Sequence, residues 1–324
     1  MSHHPDPSPG TALVTGGAGF IGSHIVDRLV ADRWSVRVLD DFSSGREENL
    51  ARSGREIELI RGDLCDPETL EAATRGVEVI FHEGAIPSVP RSVADPRGTN
   101  AVNLEGTLGV LEAARRNGVR RVVLAASAAA YGDVDLLPLV ESGPVRPLSP
   151  YALQKYGSEL YCTLYASLYG LETVALRYFN VYGPRQDPAS DYAAAIPLFV
   201  SAALEDRGVT VFGDGEQSRD FVYIDDVVEA NLRAAAAPAT SASGRVTNVA
   251  SGRRTTVNEL IEVLSDCVGH PIPVTHDAPR VGDIRHSWAE VSLARELLGW
   301  APSRTLAEGL RFTVDAYKRG EEIG

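Results

Sequence analysis

The sequence has few of the residues that build disulfide frameworks or metal centres. Its 324 residues include only three cysteines, which are Cys65, Cys162 and Cys267. They lie far apart, outside any metal-ligand spacing, and the histidines show no such spacing either. We therefore expect reduced cysteines, as in a cytoplasmic protein, and no metal site.

Long apolar runs and an excess of positive charge are missing as well. No apolar run approaches the length of a membrane span, and residues 1–10 read as a flexible polar tail rather than a signal. A formal net charge of −13 leaves no basic surface to displace counterions from nucleic acid. The remaining classes are globular proteins of one large or two interleaved domains that bind small molecules.

A glycine-rich turn is the strongest positive signal. Residues 15–22 read Thr-Gly-Gly-Ala-Gly-Phe-Ile-Gly and follow a short apolar run. Gly16 permits a tight turn, Gly19 lets a pyrophosphate approach backbone N–H groups, and Gly22 lets a helix lie against the strand. Asp40 ends the next apolar run, 18 residues beyond Gly22, where a carboxylate meets the adenosine ribose. The pattern predicts a dinucleotide site; a merely connecting turn is the alternative.

Strand and helix patterns alternate through the first half of the chain, which predicts a doubly wound parallel α/β sheet of the Rossmann type. The predicted strands are 11–15, 35–40, 57–60, 77–81, 120–126 and 172–177. The predicted helices are 20–32, 67–75, 100–117 and 151–169.

After residue 178 the texture changes to shorter elements, which predicts a smaller α/β lobe for the substrate. Val246–Val249 is expected to rejoin the main sheet, and Asp225–Asp226 to cap a helix at 226–236. We assign 11–178 and about 223–251 to the dinucleotide domain, and about 179–222 and 252–324 to the lobe.

Two predicted helices carry a second apolar face. Leucines recur at helical spacing in 100–117 and again in 151–169, on more sides than packing against one sheet requires. Either set could pack only on the sheet, but a second face also suits a partner subunit. We predict a homodimer through these helices.

Tyr151 and Lys155 lie four residues apart and would share one helix face. An ammonium beside a phenol lowers the phenol's pKa, so Tyr151 is a candidate general base, and Lys155 can also bind ribose hydroxyls. Ser127 follows a predicted strand, at the sheet edge where ligands of such folds bind. Its hydroxyl can relay a proton. The alternative is a surface Tyr/Lys pair with an unrelated serine.

With Gly16, Gly19 and Gly22, these three residues make the chain resemble the extended short-chain dehydrogenase/reductase superfamily. Within it, the chain is similar to NAD-dependent nucleotide-sugar 4-epimerases from about residue 12 to 310. Supporting segments are Phe81–Ala85, Asn103–Thr107, Ala130–Gly132, Leu176–Asn180 and Ser218–Phe221.

The resemblance implies roles for particular residues. Ser127, Tyr151 and Lys155 would be catalytic. NAD would be bound by Gly16, Gly19, Phe20, Ile21, Gly22, Asp40, Asp41, Ser43, Ser44, Asp63, Leu64, Gly84, Ala85, Asn103, Tyr151, Lys155, Tyr178 and Val181. A UDP-sugar substrate would be bound by Ser127, Asn180, Phe212, Arg219, Arg280, Asp283 and Ser287.

The segment after Ser127 favours one reaction of this superfamily. The resemblance implies that a dehydratase or decarboxylase of this superfamily would carry acidic residues in this segment. This chain has three alanines there, at 128–130. We therefore predict a 4-epimerase that inverts C4 through a 4-keto sugar. By the same resemblance, Ser287 matches the position that limits the sugar pocket, and its small side chain implies UDP-GlcNAc/UDP-GalNAc, with UDP-Glc/UDP-Gal as well. A UDP-glucuronate 4-epimerase, a dehydratase or decarboxylase, and a non-catalytic dinucleotide sensor are the alternatives.

Overall fold

The structure is a computed structural model that describes residues 10–53, 56–188, 194–279 and 284–320. Apart from Gly10, the predicted tail lies outside these ranges. The strands are β1 Thr11–Thr15, β2 Ser35–Asp40, β3 Ile57–Arg61, β4 Val79–His82, β5 Arg121–Ser127, β6 Glu172–Tyr178, β7 Asn180–Tyr182, β8 Val209–Phe212, β9 Ser218–Arg219, β10 Phe221–Tyr223, β11 Arg245–Val249, β12 Thr255–Thr256 and β13 Val274–Asp277.

The α-helices are α1 Phe20–Ala31, α2 Pro67–Thr74, α3 Val89–Ala94, α4 Pro96–Asn100, α5 Gly106–Arg116, α6 Pro150–Tyr169, α7 Ala195–Leu204, α8 Ile224–Ala236, α9 Ala239–Ala242, α10 Val257–Val268, α11 Ser292–Leu298 and α12 Leu306–Lys318. A π-helical turn, Ala101–Glu105, joins α4 to α5, and 3₁₀ turns cover Glu47–Leu50 and Ala128–Tyr131.

The main sheet is parallel throughout, in the order β11-β6-β5-β4-β1-β2-β3. Successive residues of β1 serve opposite faces, since Ala12 and Val14 pack in one buried cluster and Leu13 in the other. Helices therefore cover both faces, and the strands are continuous apolar runs for that reason. The predicted doubly wound α/β fold is confirmed, including the return of 246–249 to the sheet as part of β11.

Three two-stranded sheets lie beyond β6, pairing β7 with β10, β9 with β12, and β8 with β13. Helix α8 begins at Ile224, and its N-cap residue is Tyr223, whose backbone is extended. The N-cap predicted at Asp225–Asp226 is therefore wrong. Both acids instead lie in the first turn, where they complement the helix dipole. Asp226 also accepts hydrogen bonds from the backbone N–H groups of Ser303 and Arg304 at 2.9 and 3.1 Å.

The strand order reverses between β1 and β4, and the loops after these two strands touch there. Gly16 has φ of +65°, and a Cβ placed on it would lie 2.7 Å from the backbone nitrogen of Gly84. Ligands of doubly wound sheets bind at this switch point, in the crevice beyond the strand ends. The two glycines therefore bring the loops together without side chains in between.

We predict that Gly16→Ala destabilises the protein more than Gly118→Ala does. Both glycines have a positive φ, which costs an alanine about 1–2 kcal/mol. A Cβ at Gly118 meets no described atom within 4 Å, whereas one at Gly16 meets backbone. Crowding adds about 1–3 kcal/mol at Gly16 alone. Urea unfolding of the two variants measures the difference, and equal losses would contradict it.

Candidate active site

The N-terminus of α1 forms one wall of the cleft at the switch point. Gly19 is its N-cap and carries no side chain that could accept from the first helical N–H groups. A Cβ on Gly22 would collide with the carbonyl oxygen of Gly16, so the turn needs glycine there too. The first turn, with Phe20 and Ile21, thus presents backbone donors and a positive dipole end, which suits a pyrophosphate.

Asp40, at the end of β2, shapes the neighbouring loop. Its two carboxylate oxygens accept the N–H groups of Ala18 and Phe42, each at 2.8 Å. Burial raises the pKa of Asp40, and these two hydrogen bonds oppose that rise. Asp41 continues the turn by accepting from the Ser43 hydroxyl at 2.7 Å. Two acids here suit ribose hydroxyls and repel a 2′-phosphate.

Asn103 holds the loop after β4 from the other side of the cleft. It lies in the π-helical turn, which replaces the continuous helix predicted over 100–117. Its amide oxygen accepts the Ile86 N–H at 2.7 Å, and its amide nitrogen donates to Gln154 Oε1 at 2.9 Å. The extra residue in the π-helical turn directs the Asn103 side chain toward the loop after β4. The hydrogen bonds of Asn103 hold this loop, and with it Gly84 and Ala85, in place.

Ser127 and Tyr151 meet at the carboxyl end of β5. Ser149 caps α6 by accepting the Ala152 N–H at 3.2 Å, and Pro150 occupies the first turn, so the helix begins just before Tyr151. Burial raises the pKa of the Tyr151 phenol, and a hydrogen bond with Ser127 partly lowers it. The Ser127 oxygen also accepts the Ala129 N–H at 3.2 Å.

Lys155 lies one turn further along α6 and is buried, with 6% of its surface exposed. Its ammonium donates to the carbonyl oxygen of Ala125 at 2.9 Å. The pKa of Tyr151 is raised, with burial as the largest cause, so the lowered phenol pKa expected beside Lys155 is not found in the protein alone. Burial lowers the pKa of Lys155 itself to about 8.

Glu83 is a site residue to which the sequence patterns assigned no role. It follows β4 directly and accepts the Tyr178 hydroxyl at 2.8 Å, which in turn accepts from Asn231 at 2.7 Å. Burial raises the pKa of Glu83 to about 7, although the Tyr178 bond and the Lys155 charge lower it. The sequence did contain one signal for Glu83, since this acidic residue stands between an apolar strand and Gly84.

A buried ion pair lies beneath the Tyr151–Lys155 face of α6. Glu159 accepts from Arg177 through both carboxylate oxygens, at 2.8 to 3.1 Å, and both side chains are at most 4% exposed. The Arg177 guanidinium also lies over the ring of Tyr131, 4.6 Å from its centroid. Tyr131 donates to Asn248 at 2.7 Å, so the network joins β6 to β11.

Arginines gather around Ser218 of β9. Arg219 donates to the Ser218 carbonyl at 3.0 Å, and Arg254 donates to its hydroxyl at 3.0 Å. His286 shares that hydroxyl at 2.9 Å. Burial and the charges of Arg254, Arg285 and Arg219 lower the pKa of His286. Such a cluster of guanidinium groups suits a diphosphate. The sequence patterns identified Arg219 and missed Arg254.

Asp220 ties this cluster to Asn180 and Ser287. Its side chain is fully buried and accepts four hydrogen bonds, from Ser251 N and Oγ and from the N–H groups of Gly252 and Ala289. Its carbonyl accepts from the Asn180 amide at 3.0 Å. The Ser287 N–H donates to Ser218 at 3.0 Å, which sets the half-buried Ser287 beside β9.

The other candidate residues fall into three groups. Asp63 is exposed and accepts the Cys65 N–H, Leu64 contacts Gly84, and Ser44 lies in the exposed turn after β2. Val181 lies in β7, and Phe212 ends β8. Arg280 and Asp283 lie outside the described residues.

Two searches of the described chain bear on other kinds of site. No helix in the described ranges is long and apolar enough to cross a membrane. Within the same ranges, no group of three or more His, Cys, Asp or Glu side chains could hold a metal ion.

Comparison with known proteins gives extensive matches. A model of the NAD dependent epimerase/dehydratase family matches residues 12–250. The UDP-glucose 4-epimerase of Mycolicibacterium smegmatis is 44% identical over 310 residues, which cover 94% of this chain and 98% of that protein.

Solved structures match over nearly the whole chain. A UDP-N-acetylglucosamine 4-epimerase from Methanobrevibacter ruminantium, in complex with UDP-N-acetylmuramic acid, is 41% identical with a TM-score of 0.91, covering 97% of this chain and 99% of that one. The UDP-glucose 4-epimerase of Thermus thermophilus in complex with NAD is 39% identical with a TM-score of 0.85, covering 95% of this chain and 99% of that one.

Proposed function

Because the chain belongs to the NAD-dependent epimerase/dehydratase family, we propose that it is a UDP-sugar 4-epimerase acting on UDP-GlcNAc/UDP-GalNAc and on UDP-Glc/UDP-Gal. The observation that carries the proposal is the hydrogen bond between Ser127 and Tyr151 at the carboxyl end of β5, in the sheet whose switch point carries the glycine turn before α1.

The reaction needs one group that exchanges a proton with the sugar. Tyr151 takes the proton of the C4 hydroxyl as the hydride leaves C4, and Ser127 shares the phenol's hydrogen bond. NAD supplies the ring carbon that accepts this hydride and returns it. Once the 4-keto sugar has presented its opposite face, Tyr151 returns the proton. Since burial raises the phenol's pKa, positive charge at the nicotinamide has to favour the deprotonated form.

Residues 11–178 and about 223–251 hold NAD, in this proposal. The first turn of α1 binds its pyrophosphate, and Asp40 and Asp41 face the adenosine ribose. Lys155 binds the other ribose, and Tyr178, held by Glu83 and Asn231, lines the nicotinamide side.

Residues 179–222 and 252–324 hold the nucleotide sugar in the same scheme. Arg219, with Arg254 directly before β12, clamps the diphosphate, and Asn180 contacts the phosphates or the sugar. Firm contacts to the diphosphate and few contacts to the sugar allow the 4-keto ring to turn while it stays bound.

The segment Ala128–Tyr131 supports epimerisation over elimination. It is a 3₁₀ turn directly after Ser127, and its first three residues are alanines. Alanine transfers no proton, so removal of water or carbon dioxide has no second acid–base group here. Incubation with UDP-Glc, UDP-GlcNAc and UDP-glucuronate, read by NMR and mass spectrometry, tests the proposal. We expect C4 epimers of the first two at unchanged mass; a product lighter by water or carbon dioxide would contradict it.

We predict that Tyr151→Phe lowers kcat by about 10²- to 10⁴-fold while folding and NAD binding persist. The variant removes only the hydroxyl that exchanges the proton. Steady-state kinetics with UDP-Glc measure the loss, and circular dichroism with NAD titration provides the control. Turnover near that of the parent protein would reject the mechanism.

Ser287→Tyr is expected to lower kcat/KM for UDP-GlcNAc by about tenfold or more relative to UDP-Glc. A bulky ring beside β9 would crowd the N-acetyl group at C2 but spare a hydroxyl. Ser287→Ala is the matched control and should leave the ratio of the two kcat/KM values unchanged. Equal losses on both substrates would sink the pocket assignment.

We further propose that two copies associate through α5 and α6. Leu153, Leu160, Leu164 and Leu168 lie along one side of α6 and are 47–67% exposed, which is unusual for so many leucines on one helix. The π turn before α5 packs beside this face, since a Cβ on Gly157 would meet Leu104. Pairing two such faces buries the leucines in a symmetric interface.

Leu164→Asp should therefore convert a dimer, with twice the 34.7 kDa chain mass, into a monomer. A carboxylate buried at the centre of a symmetric contact meets its own copy and lacks a partner. Light scattering after gel filtration measures the mass. Leu198→Asp, at an exposed leucine of α7, is the control and should stay dimeric. A parent protein that runs as a monomer would refute the interface.

A further inference from the structure

The start of α6 leaves one backbone donor that the helix itself does not satisfy. Ser149 caps the N–H of Ala152 through its side chain at 3.2 Å, and its carbonyl accepts the N–H of Leu153 at 3.0 Å. Pro150 has no N–H. The N–H of Tyr151 remains, in the first turn, where a helix offers no carbonyl to bind it. Its acceptor therefore has to come from another element.

Ser92 of α3 provides this acceptor. Its hydroxyl oxygen accepts the Tyr151 N–H at 3.1 Å, across 59 residues of sequence. The same hydroxyl donates its proton to the carbonyl oxygen of Val89 at 2.7 Å, which leaves its lone pairs for the incoming N–H. Ser92 is fully buried. Bulk water therefore does not reach the oxygen that holds Tyr151.

Two serines hold Tyr151 at its two ends. Ser127, which ends β5, shares a hydrogen bond with the phenol, and Ser92, in the helix that follows β4, binds the backbone N–H. Strands β4 and β5 are neighbours in the main sheet. The residue is thus fixed to one edge of the sheet through its side chain and, separately, through its backbone.

Helix α3 is itself fastened to the loop after β4. Ser88 caps α3 by accepting the N–H three residues further on, at 3.1 Å. Ile86, two residues before Ser88, exchanges two hydrogen bonds with Asn103, at 2.7 and 3.2 Å. The same loop carries Gly84, which is expected to bind NAD. Ser92 therefore joins the helix that carries the phenol to the loop that faces the cofactor.

We propose that Ser92 is a positioning residue that holds the Tyr151 phenol in register with the cofactor loop. The inference rests on the proposed function, since it concerns the phenol that exchanges the proton. In that reaction the proton leaves the C4 oxygen while the hydride leaves C4 itself, so the phenol and the nicotinamide have to face adjacent atoms. The Ser92 hydroxyl is engaged by Val89 and by the Tyr151 N–H. It therefore acts through the placement of Tyr151 and transfers no proton itself.

Ser92→Ala removes the acceptor and leaves the Tyr151 N–H buried without it. We expect kcat with UDP-Glc to fall by about 10- to 100-fold, because a displacement of about 1 Å at a reacting group can cost about 10²-fold. The KM for UDP-Glc and the Kd for NAD should stay within about twofold, since the variant removes no group proposed to contact either ligand. An unchanged kcat in the folded variant, or a loss that falls on KM instead, would overturn the proposal.

Thr173→Val is the matched control. Thr173 is fully buried at the start of β6, and its hydroxyl donates to the Cys162 carbonyl of α6 at 2.7 Å. Cys162 lies about three helical turns beyond Tyr151. The control loses one buried hydrogen bond to the same helix, so it should be less stable in urea while its kcat stays within about twofold. Equal kcat losses in the two variants would mean that α6 is loosened as a whole, and would overturn the role of Ser92.

A double-mutant cycle with Tyr151→Phe separates placement of the phenol from packing. Once the phenol hydroxyl is absent, Ser92→Ala has no proton-exchanging group left to misplace. It should then lower the residual kcat by less than about twofold. Losses that multiply in the double variant would show that Ser92 acts independently of the phenol, and would reject the proposal.

A readout that needs no turnover follows Tyr151 itself. Protein saturated with NAD and labelled in tyrosine with ¹⁵N and with ¹³C in the ring gives the signals of eleven tyrosines. Those of Tyr151 are the ones missing from Tyr151→Phe. In Ser92→Ala we expect the Tyr151 amide to exchange with solvent at least about tenfold faster, and its ring signal to shift. Thr173→Val should change neither signal.

The two readouts distinguish the two proposals. Altered Tyr151 signals in a protein without epimerase activity would fault the proposed function and still support the hold of Ser92 on Tyr151. Epimerase activity with unmoved Tyr151 signals would fault Ser92 alone. If Ser92→Ala fails to fold, Ser92→Cys decides, because a thiol keeps the shape of the side chain but is a weak acceptor. It should give the same changes in smaller measure, and an unchanged kcat with an unchanged amide would reject the proposal.

Discussion

The contact between Gly16 and Gly84 is the constraint on which the site depends. It lies where the strand order reverses, and a Cβ on Gly16 would meet the Gly84 backbone at 2.7 Å. Because the two loops touch here, α1 begins directly over the cleft and Glu83 enters beside α6. The fold therefore brings the phosphate cradle and the charged residues to one edge of the sheet through backbone packing.

The second constraint is the number of charges buried under that edge. Lys155 and Arg177 bring two positive charges, and Glu83 and Glu159 bring two negative ones. Buried charges are tolerated when they are paired, and removal of one partner leaves the other unsatisfied. The balance explains how an ammonium survives in a nearly sealed position.

Sequence patterns predicted the parts of the molecule that follow local rules. Unbroken apolar strands, the glycine turn and the capped start of α6 are local, and the parallel sheet with its helices emerged as expected. The direction of Lys155 depends on a carbonyl 30 residues away, and the role of Glu83 on Tyr178 and Asn231. Such contacts arise only in the folded chain, so residue spacing alone does not reveal them. The π turn at Asn103 is a similar case. It positions the Asn103 side chain to accept the Ile86 N–H, a contact that forms only in the folded chain.

A single titrating phenol places a demand on the rest of the site. With alanines at 128–130, the turn directly after Ser127 carries no second acid–base group. In the proposed reaction Tyr151 therefore serves both faces of C4, and the sugar ring moves relative to the phenol while the nucleotide stays fixed. The arginines at Ser218 are suited to holding the fixed diphosphate, since Asp220 locks their loops through four hydrogen bonds.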